Sequence, residues 1–280
     1  MTVTEAVDQI DRLRRATGWI FDMDGVLYRG SETLPGVQAL FNELDHHGVP
    51  YRLATNNSMA SAAQYVERLK GMSITVTPEA ILTSATATRT WLHDNLGEHA
   101  RIHVLGMPAL TEQLLDGTKF MLVDPDLAIP DAVVAGLDRE ITYDKLRKAH
   151  RGIIGGARFI ATNGDVTLPT EQGLVPGCGA LIAALVASTG VQPVVIGKPE
   201  VHLLDAAIAD MGIAPQQCVM VGDRLDTDIV AGHNAGTQTV MVLTGVSTRA
   251  EIGSAIVKPD LVFTDLPAVL DVLRNGSGNA

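Results

Sequence analysis

Two short acidic segments of this 280-residue chain have spacings that suit cation or acid–base chemistry. In the first, Asp22 closes the apolar run Trp19-Ile20-Phe21, and Asp24-Gly25 follows as a turn. In the second, Asp223, Asp226 and Asp228 follow Cys218-Val219-Met220-Val221. A carboxylate at the end of an apolar strand is costly to desolvate, and a cation relieves that cost. Asx turns and favourable placement of acids at a helix start are the plainer alternatives. Two further groups suit anion binding. Thr55-Asn56-Asn57 ends the predicted strand Tyr51–Thr55 and opens a predicted helix, whose free amides either attract an anion or are simply capped by Asn57 or Ser58. Lys198 stands between Gly197 and Pro199, where a solvated surface lysine is the alternative.

Taken together, the four groups have a chemical logic. Two acidic strand ends suit a hard divalent cation bound through oxygen, and Mg²⁺ fits that donor set. A lysine and a helix N-terminus suit a phosphoryl group. A carboxylate attacks phosphorus only where charge repulsion is cancelled, which the cation and the lysine would do. Other motifs are excluded. Pro199 stands where a P-loop needs Ser or Thr, and Gly25 is misplaced for an EF-hand loop. His93, His99 and His103 lack a cysteine or acid at zinc-ligand spacing and read as surface histidines.

The elements that must position these residues alternate between strand and helix. The pattern predicts a first helix within residues 1–17, a strand at Trp19–Phe21, a helix at Val37–His46, a strand at Tyr51–Thr55 and a helix at Ser58–Lys70. The same grammar returns with strands at Pro193–Ile196, Cys218–Val221 and Thr239–Leu243, helices at Val201–Met211 and Asp226–Ala235, and an edge strand at Leu261–Phe263. This order implies a parallel α/β sheet, and ligands of such sheets sit beyond the carboxyl ends of the strands. In between lie predicted strands at Arg101–Leu105, Phe120–Val123, Ala132–Ala135 and Arg158–Ala161 and a helix at Tyr143–Ile153, enough for a small α/β domain inserted into the first. The expected division is residues 1–83 with 191–280, and 84–190. Asn275–Ala280 reads as a frayed tail.

Composition narrows the class. A hydrophobic fraction of 46% with 19% charged residues is globular. A net charge of −11 argues against a nucleic-acid or anionic-membrane binder. Two cysteines, Cys178 and Cys218, exclude a disulfide scaffold and suit a reducing compartment. The N-terminal residues do not read as a signal peptide, and Leu181–Ala187, the longest strongly apolar stretch, falls far below the ~20 residues that span a bilayer. The expectation is a soluble, cytoplasmic protein.

Four segments resemble, in order, the motifs of the haloacid dehalogenase superfamily: Phe21-Asp22-Met23-Asp24-Gly25-Val26-Leu27, Thr55-Asn56-Asn57, Lys198, and Gly222-Asp223 through Asp228. The insert lies where that family carries a C2-type cap. Gly136–Tyr143, Ala161-Thr162-Asn163-Gly164-Asp165 and Leu174–Gly179 resemble its NagD-like and 4-nitrophenyl phosphatase branch. The resemblance implies a Rossmann-like parallel-sheet core with an inserted α/β cap. It also implies a Mg²⁺-dependent phosphatase acting through an aspartyl-phosphate. Asp22 would be the nucleophile and Asp24 the acid and base. Thr55, Asn56 and Lys198 would hold the phosphoryl group, and Asn57 would orient Asp24 or the substrate. Asp22, the Asp24 carbonyl and Asp223 would bind the metal, with Asp228 as a lysine partner.

The implied substrate is a small phosphorylated metabolite of the sugar phosphate, glycerol phosphate or phosphoglycolate class. The Asp165–Pro169 loop resembles the cap's specificity loop, and the apolar Leu168 favours a small substrate. A phosphotransferase or mutase, or a silent phosphometabolite-binding protein, are the competing readings. A homodimer is compatible with the sequence.

Overall fold

The computed structural model describes residues 3–170 and 173–275. Most of the frayed tail read from the sequence, residues 276–280, lies outside the described residues. Contacts divide the chain into two compact units. The first comprises Met1–Thr55, Ala62–Leu82 and Lys198–Ala280, and the second Asn56–Ser61 and Thr83–Gly197.

The first unit is built on a six-stranded sheet in the order Leu261–Phe263, Gln238–Val242, Cys218–Gly222, Gly18–Phe21, Tyr51–Thr55, Ile81–Thr83. The first five run parallel, with Phe21 paired to Val221 on one side and Leu53 on the other. Both central strands, Gly18–Phe21 and Cys218–Gly222, are buried at every position. This explains why they read as continuous apolar runs rather than alternating ones. Trp19, Phe21, Phe41 and Tyr51 form one aromatic stack beside them. Among the helices are Val37–His46, Ala62–Gly71 and His202–Met211.

The second unit has its own five-stranded sheet, ordered Val194–Val195, Arg158–Ala161, Ala132–Ala135, Arg101–Leu105, Met121–Leu122, and parallel throughout. The hairpin Thr167–Thr170 with Gly173–Pro176 stands apart from it. Helices Tyr143–Ile154 and Cys178–Thr189 pack Ala149, Ile153, Ile182 and Leu185 against Val133 and Phe159.

Three expectations are corrected. The strand before Lys198 was expected in the main sheet, but it pairs with Arg158–Ala161 through Val194↔Ile160 and Val195↔Ala161. An apolar run fixes a strand but not the sheet it joins. By contacts the second unit runs on to Gly197. The helix expected from Ser58 begins at Ala62. The intervening residues turn instead, with Asn57 Oδ1 accepting from the Met59 amide at 2.8 Å and the Ser58 carbonyl accepting from Gln113 Nε2 at 2.9 Å. Asn57 and Ser58 thus lie in a turn that precedes the helix rather than in its first turn. Finally, the segment expected to be helical from Asp226 starts with a widened π-type turn, Leu225–Ile229, before the short helix Val230–Asn234.

Candidate active site

In the first unit, three core strands deliver their last residues to one end of the sheet. Asp22 follows Gly18–Phe21, Thr55 ends Tyr51–Thr55, and Asp223 follows Cys218–Gly222. One oxygen from each of Asp22, Asp223 and Asp228 lies within 4.8 Å of the others. Lys198 is 2% exposed and sits among them. Its ammonium donates to Asp22 Oδ1 at 2.5 Å and to the Ala54 carbonyl at 3.1 Å, and pairs with Asp228 Oδ1 at 2.8 Å. A buried lysine survives in such a place because paired carboxylates compensate its desolvation.

The charge balance is unequal: three buried or half-buried carboxylates face one ammonium. Burial pushes Asp22 up to about 7, against the lowering effect of Lys198 and with the raising effect of Asp228. Burial also pushes Asp223 up to about 8, reinforced by Asp228 and Asp22. Burial alone would lower the ammonium of Lys198, but Asp22 and Asp228 hold it above its ordinary value. Asp22 and Asp223 are thus held as reluctant anions, the state a divalent cation would stabilise.

The donor set fits such a cation. Asp223 Oδ2 accepts from the Val246 amide at 2.6 Å, but its Oδ1 is buried without a hydrogen-bond partner. Both oxygens of Asp228 are engaged, Oδ1 with Lys198 and Oδ2 with the amides of Asp223 and Arg224 at 3.2 Å each. Two glycines make room for Asp223. A Cβ on Gly245 would stand 1.8 Å from Asp223 Oδ2, and one on Gly25 would stand 2.5 Å from it. Gly25 also has φ +83°, a left-handed turn that glycine adopts without strain. Gly245 and Val246 did not stand out in the sequence, because a glycine after a strand reads only as a turn.

Asp24 is exposed, with its carboxyl raised mainly by the protein packed around it and lowered by Arg68. The Gly25 amide donates to the Tyr28 carbonyl at 2.8 Å, and Thr244 Oγ1 donates to the Gly25 carbonyl at 2.6 Å, which fixes the turn. Thr55 is buried and hydrogen-bonded to Tyr65. Asp226 is exposed and paired with Arg224.

In the second unit, Asn56 is a knot. Its carbonyl accepts from Ser84 Oγ at 2.6 Å and Asn163 Nδ2 at 2.8 Å, and its own Nδ2 donates to Asp165 Oδ2 at 3.2 Å. A cavity of about 60 Å³ lies here, with Asn57, Met59, Asp165, Leu168 and Cys178 in its lining. Neither of the histidines His93 and His103 joins a metal-binding group among the described residues. His103 Nδ1 is 3.2 Å from the Val123 carbonyl.

A profile of haloacid dehalogenase-like hydrolases matches residues 19–117, and a second HAD-hydrolase-like profile matches residues 195–269. An acid sugar phosphatase of Staphylococcus epidermidis is 36% identical over 94% of this chain and 100% of its own length.

The chain belongs to the haloacid dehalogenase-like hydrolases.

Solved members of the family have the same fold over nearly the whole length. The 4-nitrophenylphosphatase of Thermotoga maritima superposes with a TM-score of 0.86 at 35% identity, covering 94% of this chain and 99% of that one. The p-nitrophenyl phosphatase of Archaeoglobus fulgidus superposes with a TM-score of 0.85 at 33% identity, over 92% and 99%. This hydrolase is therefore an enzyme of the phosphatase class, with the Rossmann-like core and C2-type cap fold of the NagD-like branch. No helix among its described residues is long and apolar enough to cross a membrane.

Proposed function

We propose that this hydrolase is a Mg²⁺-dependent phosphatase of small phosphorylated metabolites that works through an aspartyl-phosphate. The observation that carries the reading is the cluster of Asp22, Asp223 and Asp228 around one buried ammonium, with Asp223 Oδ1 left without a partner. The metal ligands are Asp22, Asp223 and the main-chain carbonyl of Asp24. Asp228 serves as the partner of Lys198, with its other oxygen accepting from two backbone amides. When bound, the cation would neutralise the carboxylates and the phosphate and draw charge off the phosphoryl oxygens.

The chain's own residues then divide the chemistry. The Asp22 carboxylate attacks phosphorus, and the bond from phosphorus to the ester oxygen breaks. Asp24 gives its proton to that oxygen, and the leaving alcohol departs. Asp24 next takes a proton from a water that attacks the aspartyl-phosphate. Orthophosphate leaves, and Asp22 is regenerated. Lys198 and Thr55 hold the phosphoryl oxygens, with the Asn56 backbone beside them. The Asn57 side chain orients the substrate at the cavity it lines. The second unit acts as the C2-type cap, with Asp165 and Leu168 in the lining of its cavity as the candidate specificity residues. Cys178 and Cys218, buried as free thiols, suit a cytoplasmic enzyme.

The test is turnover of 4-nitrophenyl phosphate and a panel of small phosphoesters with and without Mg²⁺. EDTA should abolish turnover, Mg²⁺ should restore it, and Ca²⁺ should substitute poorly. Full turnover after exhaustive chelation would overturn the metal role. Beryllium fluoride should be trapped on Asp22; trapping on Asp24 would reverse the two roles.

A further inference from the structure

The helix Ala62–Gly71 carries none of the family's motif residues, yet it reaches two separate parts of the site from positions one turn apart. Tyr65 is 2% exposed, and its hydroxyl is hydrogen-bonded to that of Thr55. Three residues on, Arg68 lies over the Tyr28 ring at 4.6 Å, and its Nη2 donates to the Gly30 carbonyl at 2.9 Å. Tyr28 and Gly30 belong to the small hairpin Tyr28–Arg29 with Glu32–Thr33, which comes straight after the acidic turn. The hairpin is tied back to that turn by the bridge between Asp24 and Tyr28 and by the Gly25 amide on the Tyr28 carbonyl. Its far strand is tied to the segment after the helix, Thr33 Oγ1 donating to the Met72 carbonyl at 2.6 Å.

Residues at i and i+3 lie on one face of a helix, so the two contacts are made by one rigid surface. We infer that Tyr65 and Arg68 are positioning residues that hold Thr55 and the Asp24 turn in fixed register with one another. Neither touches a reacting atom in this arrangement. Tyr65 sets the hydroxyl of Thr55, and Arg68 clamps the hairpin to which the backbone of Asp24 and Gly25 is tied.

The inference rests on the phosphatase reading above, because register matters only if Thr55 and Asp24 act on one substrate. A guanidinium over an aromatic ring is a contact worth keeping even at an exposed site, and Arg68 is exposed, so its replacement leaves the core intact. Misplacing an acid by about 1 Å can cost on the order of 10²-fold in rate.

The experiment measures kcat and KM for 4-nitrophenyl phosphate with Mg²⁺, and Ki for orthophosphate. Arg68→Met should lower kcat by about tenfold or more, with KM within about threefold of wild type. Arg68→Lys, which keeps a cation over the ring, should recover most of that loss. Tyr65→Phe, which removes only the hydroxyl, should give the opposite split, raising KM and Ki for orthophosphate more than it lowers kcat. Tyr28→Leu combined with Arg68→Met should cost little more than the worse single change, since both break one contact. A kcat for Arg68→Met within twofold of wild type would overturn the clamp. So would equal losses in the Met and Lys variants, or strict additivity with Tyr28→Leu. If Tyr28→Leu does not fold, the Met and Lys comparison at Arg68 decides alone. Wild-type turnover in the same assays keeps a failure of the clamp distinct from a failure of the phosphatase reading.

Discussion

The carboxylate cluster of the first unit and the Asn56 knot of the second are both dense polar centres, but they are satisfied in opposite ways. Around Lys198, buried charges compensate one another and leave a surplus of negative charge and one orphaned oxygen. Around Asn56, neutral amides and hydroxyls meet donors and acceptors, with Asp165 as the charged partner. The first arrangement keeps a surplus of negative charge that a cation would relieve, so it suits one chemistry. The second is already satisfied, so it specifies a shape that substitutions can retune.

That contrast should break most sharply at Asp22. Asp22→Asn keeps the side chain's shape but removes the attacking charge, and activity should fall by at least ~10³-fold. Residual turnover within tenfold of wild type would remove Asp22 from its role.

Changes at Asp223 should come next, with activity and stability moving in opposite directions. Asp223→Asn should weaken Mg²⁺ binding and cut turnover by about 10²-fold. The same change should raise the melting temperature of the metal-free protein, because it removes one of several crowded negative charges. Gly245→Ala should also weaken Mg²⁺ binding, since its Cβ would displace Asp223 Oδ2. Unchanged Mg²⁺ titration in either variant would contradict the ligand assignment.

The pH dependence of stability sharpens the comparison further. Asp22 and Asp223 titrate near 7 and 8 in the folded chain, against about 4 when unfolded. Between these values the folded state holds more protons than the unfolded one. Their contribution to stability is therefore full below about pH 4 and declines as pH rises towards 8. In EDTA, wild type should lose stability over this range more steeply than Asp223→Asn. The gain in melting temperature on adding Mg²⁺ should grow with pH. Parallel melting curves for the two proteins in EDTA would refute the surplus-charge account.

The smallest effects should be found in the second unit. Asp165→Ala and Leu168→His alter the lining of the cavity, and should reorder phosphoglycolate, glycerol phosphate and pyridoxal phosphate by no more than about tenfold while leaving the Mg²⁺ requirement in place. If both variants scale every substrate by the same factor, the cavity does not select the leaving group.

The α/β class and the main strands were legible in the residue pattern. Asp22 stood out because charge at the end of an apolar run is costly to desolvate, whereas Asp223 and Lys198 each had a plainer reading and drew their meaning from four motifs falling in the family's order. Continuous apolar runs also exposed the strands at Trp19–Phe21 and Cys218–Val221, since strands buried on both faces are apolar throughout. Only the tertiary structure decided which sheet takes Val194–Val195, because pairing is a choice among edges that a two-residue strand does not encode. The structure also decided that the helix starts at Ala62 and not at Ser58, whose carbonyl is held by the distant Gln113. It brought Gly245 against Asp223 and Arg68 against Tyr28, contacts made by ordinary residue types across 22 and 40 positions of sequence. A glycine and a surface arginine carry no local signal of such roles. Their meaning comes from what the fold places within a few ångströms of them.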